Sequence, residues 1–292
     1  ISDLAGIFSG KIRNWSETGG NGKEIHVYTR DEKSGTFQTF RNLALQGNRI
    51  AENAEICRYH EDIADKVARD PDGIGYVGLP YIFRTKALAV SDGESTALKP
   101  APFTVKTEDY ILSRRLFLYA PSPAPGSYTR SFIDFVLSPA GQQIVRDTGF
   151  VNLDIELSVT RTDPDQSSQN ASVLDEYLQT VEKAQRLSLN FRFHSGSFDL
   201  DNKALADLER VTEFLQQKNF QELLLIGFAD SEGDYNNNCN LARRRAEKIA
   251  GELGKKGVKP SSVYSACEEI PVGSNETEEG RAKNRRVEIW VR

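Results

Sequence analysis

Two groups of side chains in this sequence have the types and spacing to hold a charged ligand. In the first, Asp230 closes the apolar run Leu223-Leu224-Leu225-Ile226-Gly227, and Arg245 follows in the next amphipathic segment. A carboxylate at a strand tip and a guanidinium on the following helix can face each other across a cleft. Asp accepts from an ammonium and Arg forks onto a carboxylate, so the pair suits a zwitterion. Asn238, between them in sequence, offers both a donor and an acceptor. Spacing alone favours a plain ion pair between Asp230 and Arg245, which at a surface is worth little. The second group is Arg30-Asp31-Glu32-Lys33-Ser34-Gly35-Thr36. A strand–loop–helix junction of this kind turns backbone N–H groups, two hydroxyls and the positive helix end toward an anion. Arg30 adds a fork suited to tetrahedral oxyanions, and Glu32 can position Arg30 or accept a proton from a protonated ligand. The simpler reading of a lone Ser-Gly-Thr is that Ser34 or Thr36 is an N-cap.

The elements that must position these residues are legible to different degrees. Leu187, Leu189, Phe191 and Phe193 alternate with polar residues as in a half-buried strand. Leu200, Leu205, Leu208, Val211 and Leu215 follow at helical spacing, as do Leu241, Ile249, Ala250 and Leu253, with Gly257 as a stop. Leu223–Ile226, Val263–Ala266 and Val287–Val291 read as strands, which predicts an α+β domain of order β-α-β-α-β-β over 185–292. The polar stretch Thr160–Ser172 carries Pro164 and no periodicity, and it reads as a linker. A short helix capped by Ser172 and running to Ala184 completes a joining region over 156–184. The first domain, 1–155, alternates strands (Ile25–Tyr28, Ile74–Val77, Leu116–Tyr119) with helices (Thr36–Leu45, Tyr128–Val145), an α/β pattern.

Composition removes several function classes. A net charge of −5 argues against a nucleic-acid partner, since phosphate neutralisation needs a basic surface. No run approaches the roughly 18 apolar residues of a membrane span. Cys57, Cys239 and Cys267 form neither a disulfide framework nor a zinc pattern, so no metal or other cofactor is expected. His26, His60 and His194 fall in no nucleophile or metal motif, which disfavours an enzyme.

Gly227-x-x-Asp230-x-x-Gly233, Asn238-x-x-Leu241-x-x-x-Arg245-Ala246, Pro271, Asn275, Gly280-Arg281 and Asn284-Arg285-Arg286-Val287-Glu288-Ile289 resemble the OmpA-like C-terminal family. That resemblance implies a periplasmic domain that binds peptidoglycan non-covalently through the diaminopimelate of its stem peptide. Asp230 and Arg245 would hold the zwitterion and Asn238 would shape the pocket. Asn284 and Arg286 are either ligand contacts or supports of the sheet edge. Phe228-Ala229 stand where the family often has His-Thr, and Ala242 replaces its usual Ser. In an oxidising periplasm Cys239 and Cys267 are candidates for a disulfide, two separate thiols being the alternative.

Leu4-Ala-Gly-Ile-Phe-Ser-Gly-Lys-Ile-x-Asn-Trp15, Arg30-Asp-x-x-Ser34-Gly-Thr36, Gly73-Ile-Gly-Tyr-Val77, Ser113-Arg-x-Leu-Phe-Leu-Tyr119 and Ser138-Pro-x-Gly-Gln142 resemble the phosphate-binding proteins of ABC transporters. This resemblance implies a type II periplasmic-binding-protein-like fold in which Arg30, Glu32, Ser34, Gly35 and Thr36 form half of a phosphate cup. The other half would come from a segment preceding Ile1. Together the two resemblances imply a binding protein of a Gram-negative periplasm or outer-membrane envelope, tethered to the wall. The alternative is a structural or adhesion protein whose first domain is a ligand-free scaffold.

Overall fold

The structure, a computed structural model, describes residues 1–121, 126–158 and 171–292. Along the chain come α1 (Ser2–Phe8), β1 (His26–Arg30), α2 (Gly35–Ala44), β2 (Glu55–Cys57), α3 (His60–Arg69), β3 (Gly73–Gly75), α4 (Pro102–Lys106), α5 (Gly126–Leu137) and α6 (Pro139–Asp147). Then follow β4 (Leu157–Ser158), α7 (Ala171–Val181), β5 (Gln185–Arg192), α8 (Asn202–Gln217), β6 (Leu223–Gly227), α9 (Tyr235–Lys255), β7 (Ser262–Ser265), α10 (Glu278–Asn284) and β8 (Arg286–Val291). Two compact units result. One holds Ile1–Ala89 and Leu112–Leu153, the other Val90–Ile111 and Asp154–Arg292.

In the first unit the parallel strands run in the order β2-β1-β3. Ile25, Val27 and Ile74 bury one face of this sheet with Phe8, Phe40, Ala44 and Leu45. Phe40 stacks on Tyr76 at 4.0 Å between centroids, which ties α2 to the end of β3. The expected helix over Tyr128–Val145 is two helices. Pro139 cannot donate to the turn before it, and Ser138 instead caps α6 by accepting from the Gly141 N–H. The expected strand Leu116–Tyr119 does not form. Its four side chains are exposed, and it pairs with no strand among the described residues.

The second unit is a five-stranded sheet among the described residues, ordered β4-β5-β8-β6-β7. β8 lies antiparallel to both β5 and β6, while β7 runs parallel to β6. The stripe Ala246, Ile249 and Leu253 of α9 and Ala204, Leu208, Val211 and Leu215 of α8 cover one face over Leu187, Leu189, Phe191, Leu225, Val287 and Ile289. β4 and α10 were not legible in the sequence: β4 has two residues, and α10 is short and carries no apolar stripe. The expected linker lies almost wholly at 159–170, outside the described residues. The helix after it ends at Val181, short of Ala184.

The placement of Val90–Ile111 departs from a boundary at 155. Asp109, nearly fully buried, takes Arg186 at 2.8 Å and Arg192 at 3.2 Å. Asn190 donates to the Thr107 carbonyl and to Asp109, both at 2.9 Å. Arg186 continues to Glu288 at 3.1 Å, which also receives Arg286 and the Trp290 indole N–H. Burial pushes the Asp109 carboxyl up, but the guanidiniums of Arg186, Arg192 and Arg286 together bring it below its ordinary value. A segment that sequence order assigns to the first domain thus supplies a buried counter-ion to the second.

Candidate functional site

Asp230 sits just past the end of β6, where the chain turns toward α9. A Cβ on Gly227 would run into the Ala242 carbonyl oxygen, so glycine there lets α9 approach the strand tip. Asp234 caps α9 by accepting from the Asn237 N–H at 3.1 Å. Arg245 lies on the buried side of this helix and is fully enclosed. Its guanidinium donates to the carbonyls of Ser197 at 3.0 Å, His194 at 3.1 Å and Phe228 at 3.4 Å. It also lies 5.4 Å from the Phe193 ring centroid. These partners are neutral. Burial lowers the Arg245 pKa to about 10; Asp230 opposes that shift and Arg285 adds to it.

The direct partner of Asp230 is Arg285, at 2.6 Å. Arg285 also donates to the Phe193 carbonyl at 3.0 Å and to Glu278 at 2.6 Å. Burial works against its charge, but Asp230 and Glu278 outweigh burial and raise its pKa. Asp230 and Arg245 therefore belong to one electrostatic cluster without forming the plain ion pair that spacing suggested. Sequence reasoning missed Arg285. Three polar residues, Asn284-Arg285-Arg286, straddle the junction of α10 and β8, where neither helical nor strand period says which one turns to Asp230.

The neighbours of that arginine bond to groups of the protein itself. Asn284 accepts from the N–H groups of Val272 and Gly273 and donates to the Gly273 carbonyl and Asn275 Oδ1. All four of its hydrogen-bonding valences hold the loop before α10. Arg286 lies 3.7 Å over the Phe228 ring and donates to Glu288 at 2.9 Å and to the Ile270 carbonyl at 3.1 Å. Both side chains are almost wholly buried, Asn284 against the loop before α10 and Arg286 on β8, which is the middle strand of the sheet and not its edge. Asn238 is buried at the first turns of α9 and donates to Glu268 at 2.7 Å. Cys239 and Cys267 are joined by a disulfide, with Cα atoms 4.0 Å apart, linking α9 to the end of β7. Cys57 is a free buried thiol.

In the first unit Arg30 ends β1, with its backbone N–H on the Tyr76 hydroxyl at 3.2 Å. Its Nε and Nη1 are buried without a hydrogen-bond partner. Ser34 is the N-cap of α2, its Oγ accepting from the Phe37 N–H at 3.1 Å. A Cβ on Gly35 would meet nothing within 4 Å, so space lies open at the helix N-terminus. Thr36 Oγ1 is 3.3 Å from His60 Nε2. Glu32 lies in the exposed turn, its carbonyl accepting from Gln38 at 2.6 Å. A separate open cleft of about 710 Å³, lined by residues including His26, Tyr28, Cys57, Lys66 and Asp70, does not include these cup residues. Among the described residues no group of His, Cys, Asp and Glu is arranged to hold a metal ion, and no helix is long and apolar enough to cross a membrane.

The chain thus carries an α/β unit with buried guanidinium donors on Arg30 and an α+β unit with a charged cluster at a strand tip. Residues 1–140 match the model of the PBP superfamily domain, and residues 192–285 match that of the OmpA family. The Phosphate-binding protein PstS of Borreliella burgdorferi is 30% identical over 162 residues, 52% of this chain and 57% of that protein. That of Bacillus subtilis is 34% identical over 162 residues, 54% of this chain and 51% of that protein. The chain thus spans about half the length of the curated relatives it matches. The peptidoglycan-associated lipoprotein of Burkholderia pseudomallei, a solved structure, is 25% identical with a TM-score of 0.33, covering 35% of this chain and 89% of that one.

Proposed function

We propose that this chain is a wall-tethered binding protein of the bacterial envelope, in which one unit grips peptidoglycan and the other receives phosphate or a similar oxyanion. For the wall site, the supporting observation is the state of Arg245. A fully buried guanidinium is held in place by three neutral carbonyls, and its depressed pKa marks a positive charge that burial leaves under-compensated. The carboxylate of a diaminopimelate zwitterion supplies the missing counter-charge, while Asp230 turns from Arg285 toward the ligand ammonium. Asn238, hydrogen-bonded to Glu268, would shape the pocket. For the cup, the buried Nε and Nη1 of Arg30, which lack a partner among the described residues, favour a ligand rich in acceptors, and the Arg30 charge is felt at His60, the neighbour of Thr36.

Co-sedimentation with purified peptidoglycan, with free diaminopimelic acid as competitor, tests the wall site. Competitor-sensitive pelleting that is lost in Asp230→Asn is expected. Pelleting that neither the competitor nor the substitution alters would sink the assignment. Phosphate calorimetry on wild type and Arg30→Ala tests the cup.

A further inference from the structure

We propose that His60 is a positioning residue of the anion cup, fixing the Thr36 hydroxyl as a donor toward the bound oxyanion. The inference rests on the phosphate reading of that cup. His60 stands 24 residues beyond Thr36, at the first position of α3, and belongs to none of the motifs that mark the cup. Its ring bridges two elements. The Gly78 N–H donates to Nδ1 at 3.2 Å, and Nε2 lies 3.3 Å from Thr36 Oγ1. A backbone N–H can only donate, so Nδ1 is the lone-pair nitrogen. The proton of the neutral ring then sits on Nε2, aimed at Thr36 Oγ1.

The consequence concerns the hydroxyl. Thr36 accepts from His60, and its own proton is left for an acceptor elsewhere. Ser34 is handled in the same way, since its Oγ accepts from the Phe37 N–H and its own proton is left for another acceptor. Both hydroxyls thereby accept inside the protein and keep a proton for an outside acceptor, and the space at Gly35 is open to receive one. Arg30 Nε and Nη1 and the first N–H groups of α2 add to the same set. A cup that offers donors selects a ligand that offers lone pairs, an oxyanion carrying no proton on this face.

The surroundings hold the ring neutral and in plane. Burial first, then Arg30, lowers the His60 pKa, and Glu61 opposes them. Tyr81 stacks on the ring at 4.5 Å between centroids with planes 7° apart. A second ring proton would set Nδ1–H against the Gly78 N–H and break the relay.

The test uses the full-length protein, including the segment expected before Ile1, and inorganic phosphate. In the ligand-free protein at neutral pH, the imidazole nitrogen shifts read by NMR should give the Nε2-protonated tautomer. An Nδ1-protonated ring would overturn the proposal whatever phosphate does. In titrations, His60→Phe should weaken phosphate about threefold to tenfold. His60→Gln, whose amide can still donate to Thr36, should recover most of that loss. His60→Phe should cost nothing further in a Thr36→Val background. An equal loss in both backgrounds would overturn the positioning role and leave His60 a packing residue. No saturable phosphate binding by wild type would overturn the anion reading and the role of Thr36 with it, a failure separate from a wrong tautomer.

Discussion

The two guanidiniums at the centres of the candidate sites are prepared in opposite ways. Arg245 is satisfied in hydrogen bonds and under-compensated in charge: three carbonyls fix its plane, and none carries a formal charge. Arg30 leaves Nε and Nη1 without acceptors, and its backbone is what the neighbouring Tyr76 holds. Carbonyls fix geometry in advance, so a ligand at Arg245 loses little on ordering and gains mainly by supplying charge. A ligand at Arg30 must satisfy the hydrogen bonds itself. On the proposed reading, the site at Arg245 would depend on charge and the one at Arg30 on the number of acceptors.

The largest effect is expected where the charged cluster is broken. Asp230→Ala or Arg245→Ala should abolish pelleting with peptidoglycan, in line with about 2–5 kcal/mol for truncating one member of a buried charged pair. If Arg245→Ala instead pellets like wild type while circular dichroism reports a folded second unit, charge compensation is not what binds there. Next in size is the disulfide. Cys239 and Cys267 are separated by 28 positions, a loop whose opening costs about 3–4 kcal/mol in the chain-entropy model. Urea unfolding of Cys239→Ser/Cys267→Ser should show that loss in the second unit and leave the first unchanged. Arg30→Ala should weaken phosphate by about 1.5–3 kcal/mol in calorimetry, the range for hydrogen bonds to a charged group. A smaller loss would mean that Arg30 supplies only diffuse charge and that the contrast with Arg245 is one of degree.

The smallest effect is a pH slope. His60 has a folded pKa below its unfolded value, so its contribution is fully present above the unfolded value of about 6.5 and is lost as pH falls through the folded one. Arg30 and Glu61 are the charged groups acting on it, alongside Thr36 and the Tyr81 ring. His26 has the opposite sign, because its hydrogen bond to Asp70 raises its pKa. Stability measured in His60→Phe should therefore fall less steeply on acidification than in wild type. An unchanged slope would place the acid sensitivity elsewhere.

The sequence displayed what is periodic and hid what is set by long-range closure. The strand at β6, the stripes of α8 and α9 and the stop at Gly257, whose φ is 82°, all follow from local pattern. Asp230 and Arg245 stood out because each follows a strongly patterned element, while the ligand role expected of them came from the resemblance to the OmpA-like family. Arg285 was not, because the choice among three consecutive polar residues is made by the turn between α10 and β8. His60 was not, because its partners Thr36 and Gly78 come together only when α2, α3 and the turn after β3 are assembled. Leu116–Tyr119 shows the converse: a strand-like pattern in the chain does not make a strand without a neighbour to complete the ladder.

The buried Asp109 bears on how this molecule carries load. Because Val90–Ile111 belongs to the unit that contains Arg186 and Arg192, the backbone passes between the units at residues 89–90, 111–112 and 153–154. A pull on the second unit therefore reaches the first by more than one backbone crossing, and segment 90–111 is held within the second unit by the ion pairs of Asp109. Proteolytic nicking of the polar stretch around residue 165 should leave the two halves of the chain migrating together on a sizing column until denaturant is added.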